Sequence, residues 1–266
     1  MTKKSDTRLA RESGKDKPSL RCRARIFVAT PTYSGAVVHE CAHAMQVATM
    51  HCLTKGIVLD WFFAAGFSLV QNGRCWLNAE FLERPEFTHI LWLDDDLGFA
   101  PDAIFRLLEH GLDTVGGVYS TKHPTTPTFP YQACGPVQPN GLQEVLKLPG
   151  GFLLANRRAA EAVAVACPNW YELEHDGKTR MSPHVFDVIV KDGKMWGEDF
   201  IFCERLIQAG IKVYADVDLS FSHIGRNAWN ANLARTLAEE TEKGVEGEAD
   251  PARWAKHEEA PKALAE

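Results

Sequence analysis

Short apolar runs alternate along the chain with stretches of helical spacing, and that alternation sets the expected architecture. RIFVAT (25–30) is a β-rich run that ends in the turn PTYSG. Residues 36–53 space their apolar side chains as a helix, and GIVLDWFFA (56–64) is the second strand. A helix from Gln71 to Glu83 leads to THILWLD (88–94), a continuous apolar run closed by an acid. PDAIFRLLEHG (101–111) carries Pro in its first turn and Gly at its end, as a helix does, and DTVGGVYS (113–120) is the fourth strand.

Apolar strands separated by helices predict an α/β fold: a mostly parallel sheet with helices on both faces, in a single domain. Ligands of such sheets bind beyond the carboxyl ends of the strands. The first candidates are therefore Thr30 to Ser34 after the first strand and Asp94 to Asp96 after the third.

The second half is less regular. Residues 121–143 form a Pro-rich stretch, too long for a simple connector, and read as a lid or acceptor-side loop. GGFLLANRRAAEAVAVA combines a glycine turn, a short strand and a helix. Residues 168–196 look irregular, with Asp176-Gly177 and Asp192-Gly193 as hairpin turns. GEDFIFCERLIQAGIKVYADVDLSFSHIG predicts a helix from Glu198 to Ala209, a strand at 211–215 and another running into His223. After Ala228 come a mostly polar helix and a tail. The expected organisation is an arm over residues 1–24, a folded domain over 25–230, and a C-terminal helix with an acidic tail over 231–266.

Charge adds to this picture. Net charge is −6, yet residues 1–25 hold nine Lys/Arg against three Asp/Glu, so the remainder is acidic. The basic arm is either a solvated tail or a segment that rests on nucleic acid. It has no apolar stretch like that of a secretory signal, and no run in the chain approaches the roughly 18 apolar residues of a membrane span. A cytoplasmic protein without a membrane span is expected. Seven scattered cysteines with no C-x-x-C pair argue against a disulfide framework and against a thiolate zinc site.

Two motifs compete for a metal. VVHECAHAM (37–45) places His39, Glu40 and His43 in the H-E-x-x-H order of many zinc peptidases. The same helix offers a buried stripe of Val37, Cys41, Ala44, Ala48 and Cys52 that leaves the histidines on its flank. Only Glu80 or Glu83, in the next helix, stand downstream as a third ligand. The other motif is Asp94-Asp95-Asp96. Three carboxylates at the mouth of a buried strand repel one another and favour a bound cation, Mg²⁺ or Mn²⁺ for oxygen ligands, which in turn binds phosphates. A helix cap with two solvated acids is the plainer alternative.

His223, at the end of the last strand, is a candidate third ligand through neutral imidazole. Glu198 and Asp199 open a helix after Trp196-Gly197. They either complement its dipole or supply a general base.

Taken in chain order, TPTYSG, THILWLDDDLGFAPDAIFRLL, DTVGGVYSTK, GGFLLANR and GEDFIFCERLIQAGIKVYADVDLSFSHIG resemble glycosyltransferases of the GT-A fold, a Rossmann-like α/β fold. The resemblance spans residues 25–226 and is to the family 2-like enzymes of phages and prophages. It implies that Asp94 and Asp96 are the outer residues of a D-x-D motif holding Mn²⁺ or Mg²⁺ against a sugar-nucleotide diphosphate, with Asp95 in the middle position. Thr30, Pro31, Thr32 and Tyr33 match the loop around base and ribose, and His223 matches a histidine that completes the metal shell. Gly150 and Gly151 match a glycine pair beside the donor sugar, and Arg226 falls among the donor-binding residues. Asp199, of the Glu198-Asp199 pair, matches the base of inverting members.

One departure is Gly73-Arg74-Cys75, where phage relatives tend to have Ala-Arg-Asn. Arg74 is retained and is expected to reach a phosphate or order the nucleotide loop. The implied activity is metal-dependent sugar transfer from a nucleotide-sugar, a UDP-sugar by family habit, to an acceptor hydroxyl. Hydroxymethylated pyrimidine in phage DNA is the acceptor suggested, with a surface polysaccharide or protein as alternatives. From other classes stand the zinc peptidase and a non-catalytic nucleotide-sugar binder.

Overall fold

In a computed structural model of the chain, which describes residues 23–122, 127–225 and 228–242, the alternation begins as the pattern predicts. β1 (Ala24–Thr32) leads through α1 (His39–Thr54) to β2 (Ile57–Ala65), then through α2 (Val70–Leu82) to β3 (His89–Leu93). A short β4 (Leu97–Phe99), absent from the sequence reading, precedes α3 (Ala103–Glu109) and β5 (Thr114–Gly117). The stretch read as a Pro-rich loop contains β6 (Gln132–Ala133) and runs into β7 (Leu142–Lys147). Next come β8 (Phe152–Asn156) and α4 (Arg157–Ala166).

Two hairpins follow, β9 (Trp170–His175) with β10 (Lys178–Pro183) and β11 (Ile189–Lys191) with β12 (Lys194–Trp196). Asp176-Gly177 and Asp192-Gly193 turn them with positive φ at both residues, as expected. α5 (Glu198–Gln208), β13 (Val213–Asp216), β14 (Ser220–Ile224), β15 (Ala228–Asn232) and α6 (Leu233–Glu242) complete the described chain.

Eight strands form the main sheet in the order β2-β1-β3-β8-β5-β13-β7-β6. Six of them share one direction, while β8 and β7 run against it. This is a mixed α/β domain around a mostly parallel sheet. β14 pairs with β15 and β4 in a second, small sheet.

Burial along β3 shows the layering. Ile90 and Trp92 pack into a core with Trp76 of α2, Val163 of α4 and Phe202 of α5, whereas Leu91 and Leu93 join Cys41 and Ala44 of α1 and Ile104 of α3. Each strand residue is thus covered from one face or the other, which is why these runs are apolar throughout. α6 belongs to the same body, because Leu233 is buried in the first of these cores. The boundary expected at residue 230 therefore falls inside β15. No described helix is long and apolar enough to cross a membrane.

The antiparallel entry of β8 shapes the site. Since Leu93 pairs with Phe152, the start of β8 lies at the end of β3, and Gly150-Gly151 arrive beside Asp94. A glycine pair before an apolar run carries no sign of strand direction, so sequence alone does not show this approach.

Candidate active site

Beyond the ends of β3 and β5, before β8, in the N-terminal part of α2 and at the start of α5, one polar network ties together residues far apart in sequence. Arg74 is 3 % exposed, and its Nη2 donates to Asp94 Oδ1 at 2.6 Å. Its Nη1 donates to the Gly150 carbonyl at 2.8 Å, and its Nε lies 3.5 Å from Glu198 Oε1. Burial opposes the charge of this guanidinium, but Asp94 and Glu198 outweigh that cost and hold it protonated. Tyr119 donates its hydroxyl proton to Asp94 Oδ2 at 3.1 Å and accepts the Gly151 N–H at 2.9 Å. Burial pushes its phenol well above the usual range, so it remains a donor.

Three of the expected donor-site residues meet here. Arg74 is enclosed, bonded to Asp94 and the Gly150 carbonyl and close to Glu198. Gly150 and Gly151 leave the space this network occupies. A Cβ on Gly151 would stand 2.2 Å from Asp94 Oδ2 and 2.4 Å from the Tyr119 hydroxyl, and one on Gly150 would stand 3.0 Å from Asp199 Cβ. Gly151→Ala should therefore cost about 1–3 kcal/mol, seen as a lowered midpoint in thermal denaturation.

Asp199 is half-buried. Its Oδ1 accepts the Phe200 N–H at 2.8 Å and its Oδ2 the Gly150 N–H at 3.3 Å. Burial pushes its carboxyl up to about 6, the Glu198 charge adds to this, and Arg74 opposes it. A carboxyl raised in this way suits proton transfer. Arg74→Met removes the opposing cation, so it should move the Asp199 titration to higher pH. It also leaves Asp94 and Glu198 without their partner, a loss of about 3 kcal/mol or more measurable by chemical denaturation.

The three aspartates are treated differently. Asp94 is turned into the Arg74–Tyr119 network. Burial raises the Asp95 carboxyl, with the Thr32 hydroxyl opposing, and the Asp95 carbonyl accepts the Val38 N–H at 3.0 Å. Asp96 Oδ2 pairs with the Lys122 ammonium, and its Oδ1, buried and without a hydrogen-bond partner, faces His223 Nε2 at 3.5 Å. Burial works against its ionised form, yet His223 and Lys122 outweigh that and hold Asp96 below the usual carboxylate range.

His223 Nδ1 lies 2.7 Å from the Ser120 carbonyl. A carbonyl only accepts, so Nδ1 carries a proton and Nε2 is the nitrogen that faces Asp96: protonated, it supports the ionised carboxylate, and unprotonated, it offers a lone pair to a cation. An orphaned carboxylate oxygen facing an imidazole lone pair fits one side of a divalent cation's shell. Among the described residues, however, no three His, Cys, Asp or Glu side chains are grouped to hold a metal ion. Of the expected trio, Asp96 and His223 face each other, while the Asp94 carboxylate is bonded to Arg74 and Tyr119.

Of the expected nucleotide loop, Thr30, Pro31 and Thr32 are buried, and only Tyr33, 77 % exposed, presents its side chain to solvent. Pro31 lies against Gly73, where a Cβ would come within 3.3 Å of it. The glycine of Gly73-Arg74-Cys75 thus lets α2 approach the loop. Arg226 lies outside the described residues.

α1, bearing the H-E-x-x-H spelling, starts against the acidic turn: besides the Val38 bond, Cys41 Sγ donates to the Asp94 carbonyl at 3.6 Å. Cys41, Ala44, Ala48 and Cys52 are its buried stripe, and His39 (89 % exposed) and His43 lie outside it. With Ser222 and Asn230 they border a groove of about 830 Å³. Ser222 and His223 alternate along β14, so this groove and the Asp96 side lie on opposite faces of the small sheet. Tyr119 and Lys122 were not singled out in the sequence, where Tyr119 falls inside the expected fourth strand and Lys122 in the Pro-rich stretch; in the structure both follow β5.

No family model and no curated protein matches the chain. Solved structures similar to it include A197 from STIV, with 16 % identity, TM-score 0.48, and coverage of 80 % of this chain and 91 % of that one. The catalytic domain of Drosophila beta1,4galactosyltransferase 7 in complex with xylobiose is similar at 14 % identity and TM-score 0.44, covering 76 % and 71 %. The inositol-1-phosphate CTP transferase from T. maritima is similar at 11 % identity and TM-score 0.41, covering 76 % and 89 %. At these identities and scores, the functional reading rests on the geometry of the site.

Proposed function

We propose that this chain is a metal-dependent glycosyltransferase that moves a hexosyl or pentosyl group from a nucleotide-sugar to an acceptor hydroxyl. The observation that carries the reading is the shared network of Arg74 and Gly150, which joins the acidic turn after β3 to Asp199 at the start of α5. Phosphate chemistry and proton acceptance need acids on separate elements held close together, and the bonds through Arg74 and Gly150 support that reading.

In the transfer, the acceptor oxygen bonds to the anomeric carbon, the bond from that carbon to the leaving phosphate oxygen breaks, and the hydroxyl proton passes to Asp199. Asp199 is held for this by two backbone N–H groups. Asp96 and His223 would hold the divalent cation, Mn²⁺ or Mg²⁺, which offsets charge on the leaving diphosphate. Tyr33 offers an exposed ring against which a base can stack. The resemblance drawn from the sequence favours a uridine diphosphate sugar.

For the acceptor we favour hydroxymethylated pyrimidine in DNA. The supports are the phage-like resemblance and the basic arm, set against an acidic body that implies weak, salt-sensitive DNA binding. The test is incubation with UDP-sugars and Mn²⁺ on hydroxymethylated and unmodified DNA. Added glycosyl mass on the hydroxymethylated DNA alone is expected; transfer to polysaccharide or protein instead would reassign the acceptor, and absence of UDP release with every acceptor would reject the transferase.

A further inference from the structure

The two oxygens of Asp96 have different surroundings. Oδ1 is buried, lacks a hydrogen-bond partner and faces His223, while Oδ2 carries the ammonium of Lys122. Lys122 stands two residues beyond Ser120, whose carbonyl fixes the His223 ring, so one short segment positions both neighbours of Asp96. That segment is anchored: the Thr121 N–H donates to the Thr128 carbonyl at 2.7 Å, and the two threonine hydroxyls meet at 2.5 Å. The Lys122 side chain nonetheless remains one-third exposed. Arg74, another cation beside the aspartates, is enclosed, and its Nη1 and Nη2 are bonded to the Gly150 carbonyl and Asp94.

We propose that Lys122 is a phosphate-binding residue of the donor site, resting on Asp96 in the free protein and turning to the diphosphate when a nucleotide binds. This inference rests on the nucleotide-sugar reading above. A lysine is a compact charge on a flexible stem, suited to leave one anion for another nearby. Its present position has an electrostatic consequence. An ammonium and a divalent cation on the same carboxylate repel each other, so Lys122 weakens cation binding while the site holds no nucleotide. Once a diphosphate enters, both positive charges face an anion and the opposition is relieved. Cation and nucleotide therefore bind with positive coupling, and Lys122 is one source of it.

Calorimetric titration of the full chain and of Lys122→Met, with Mn²⁺ alone and with UDP in the presence of Mn²⁺, tests this through opposite signs. The variant is expected to bind Mn²⁺ alone more tightly and UDP roughly tenfold or more weakly, the loss of one charge-assisted bond. Lys122→Arg, which keeps the charge, should retain most of the UDP affinity and serves if the Met variant does not fold. A merely structural ion pair would move both affinities together or neither, and either result overturns the inference. Wild type that binds UDP no better than Lys122→Met overturns it while leaving the nucleotide reading intact. Wild type that binds no nucleoside diphosphate at all overturns the reading beneath it.

Discussion

Asp199→Asn is expected to lower turnover by roughly 10²–10⁴-fold, the range for loss of a general base, while affinity for nucleoside diphosphate stays near that of the wild type. The sign of the pH dependence follows from its titration near 6. Below that pH the carboxyl is protonated and cannot accept a proton; above it the carboxylate is available. In the wild type, kcat/KM should fall on the acid side with a midpoint near pH 6, and in Asp199→Asn this limb should vanish. Glu198→Gln is the informative companion. Glu198 raises the Asp199 carboxyl, so its neutral replacement should keep the limb and move it to lower pH. If the Glu198 variant loses the limb and the Asp199 variant keeps it, the base is Glu198.

A comparable effect is expected at Asp96. Asp96→Asn should remove stimulation by Mn²⁺ and lower kcat/KM roughly 100-fold or more, because a cation offsetting the leaving diphosphate contributes several kcal/mol. His223→Ala should fall in the same direction, since its Nε2 faces the orphaned Asp96 oxygen. Asp94 should behave otherwise. It is bonded to Arg74 and Tyr119, so Asp94→Asn should reduce stability as well as activity. A steady-state Mn²⁺ titration of the Asp96 and Asp94 variants beside their thermal melts separates the two roles. Equal Mn²⁺ stimulation in Asp96→Asn and wild type would remove Asp96 from the cation site.

Much of this layout was legible in the chain. Apolar runs such as HILWL marked the parallel strands, and the rule that ligands gather beyond strand ends singled out the acidic turn. Asp-Gly pairs marked both hairpins because they take positive φ at little cost. What periodicity does not carry is direction and pairing. Nothing in FLLAN shows that β8 runs against β3, yet that orientation brings Gly150 and Gly151 to Asp94. Burial was equally silent. An arginine on a helix looks like a surface cation, and only its three partners show why Arg74 is enclosed. Thr30 to Thr32 sit at a strand end as expected, but they extend β1 and are covered, leaving Tyr33 exposed. The H-E-x-x-H spelling shows why a local motif needs its context, since the buried stripe already set its histidines on the helix flank. Its local pattern is strong, whereas what α1 contributes to the site is backbone contact with the acidic turn through Val38 and Cys41.

The most direct measurement is thermal denaturation of the full chain with UDP, UDP-sugars and other nucleoside diphosphates, each with and without Mn²⁺. A nucleotide-sugar transferase should show a raised midpoint with UDP or a UDP-sugar when Mn²⁺ is present, and a smaller rise in Asp96→Asn. No rise with any nucleoside diphosphate, at concentrations well above the usual micromolar to millimolar range for enzyme substrates, would contradict it.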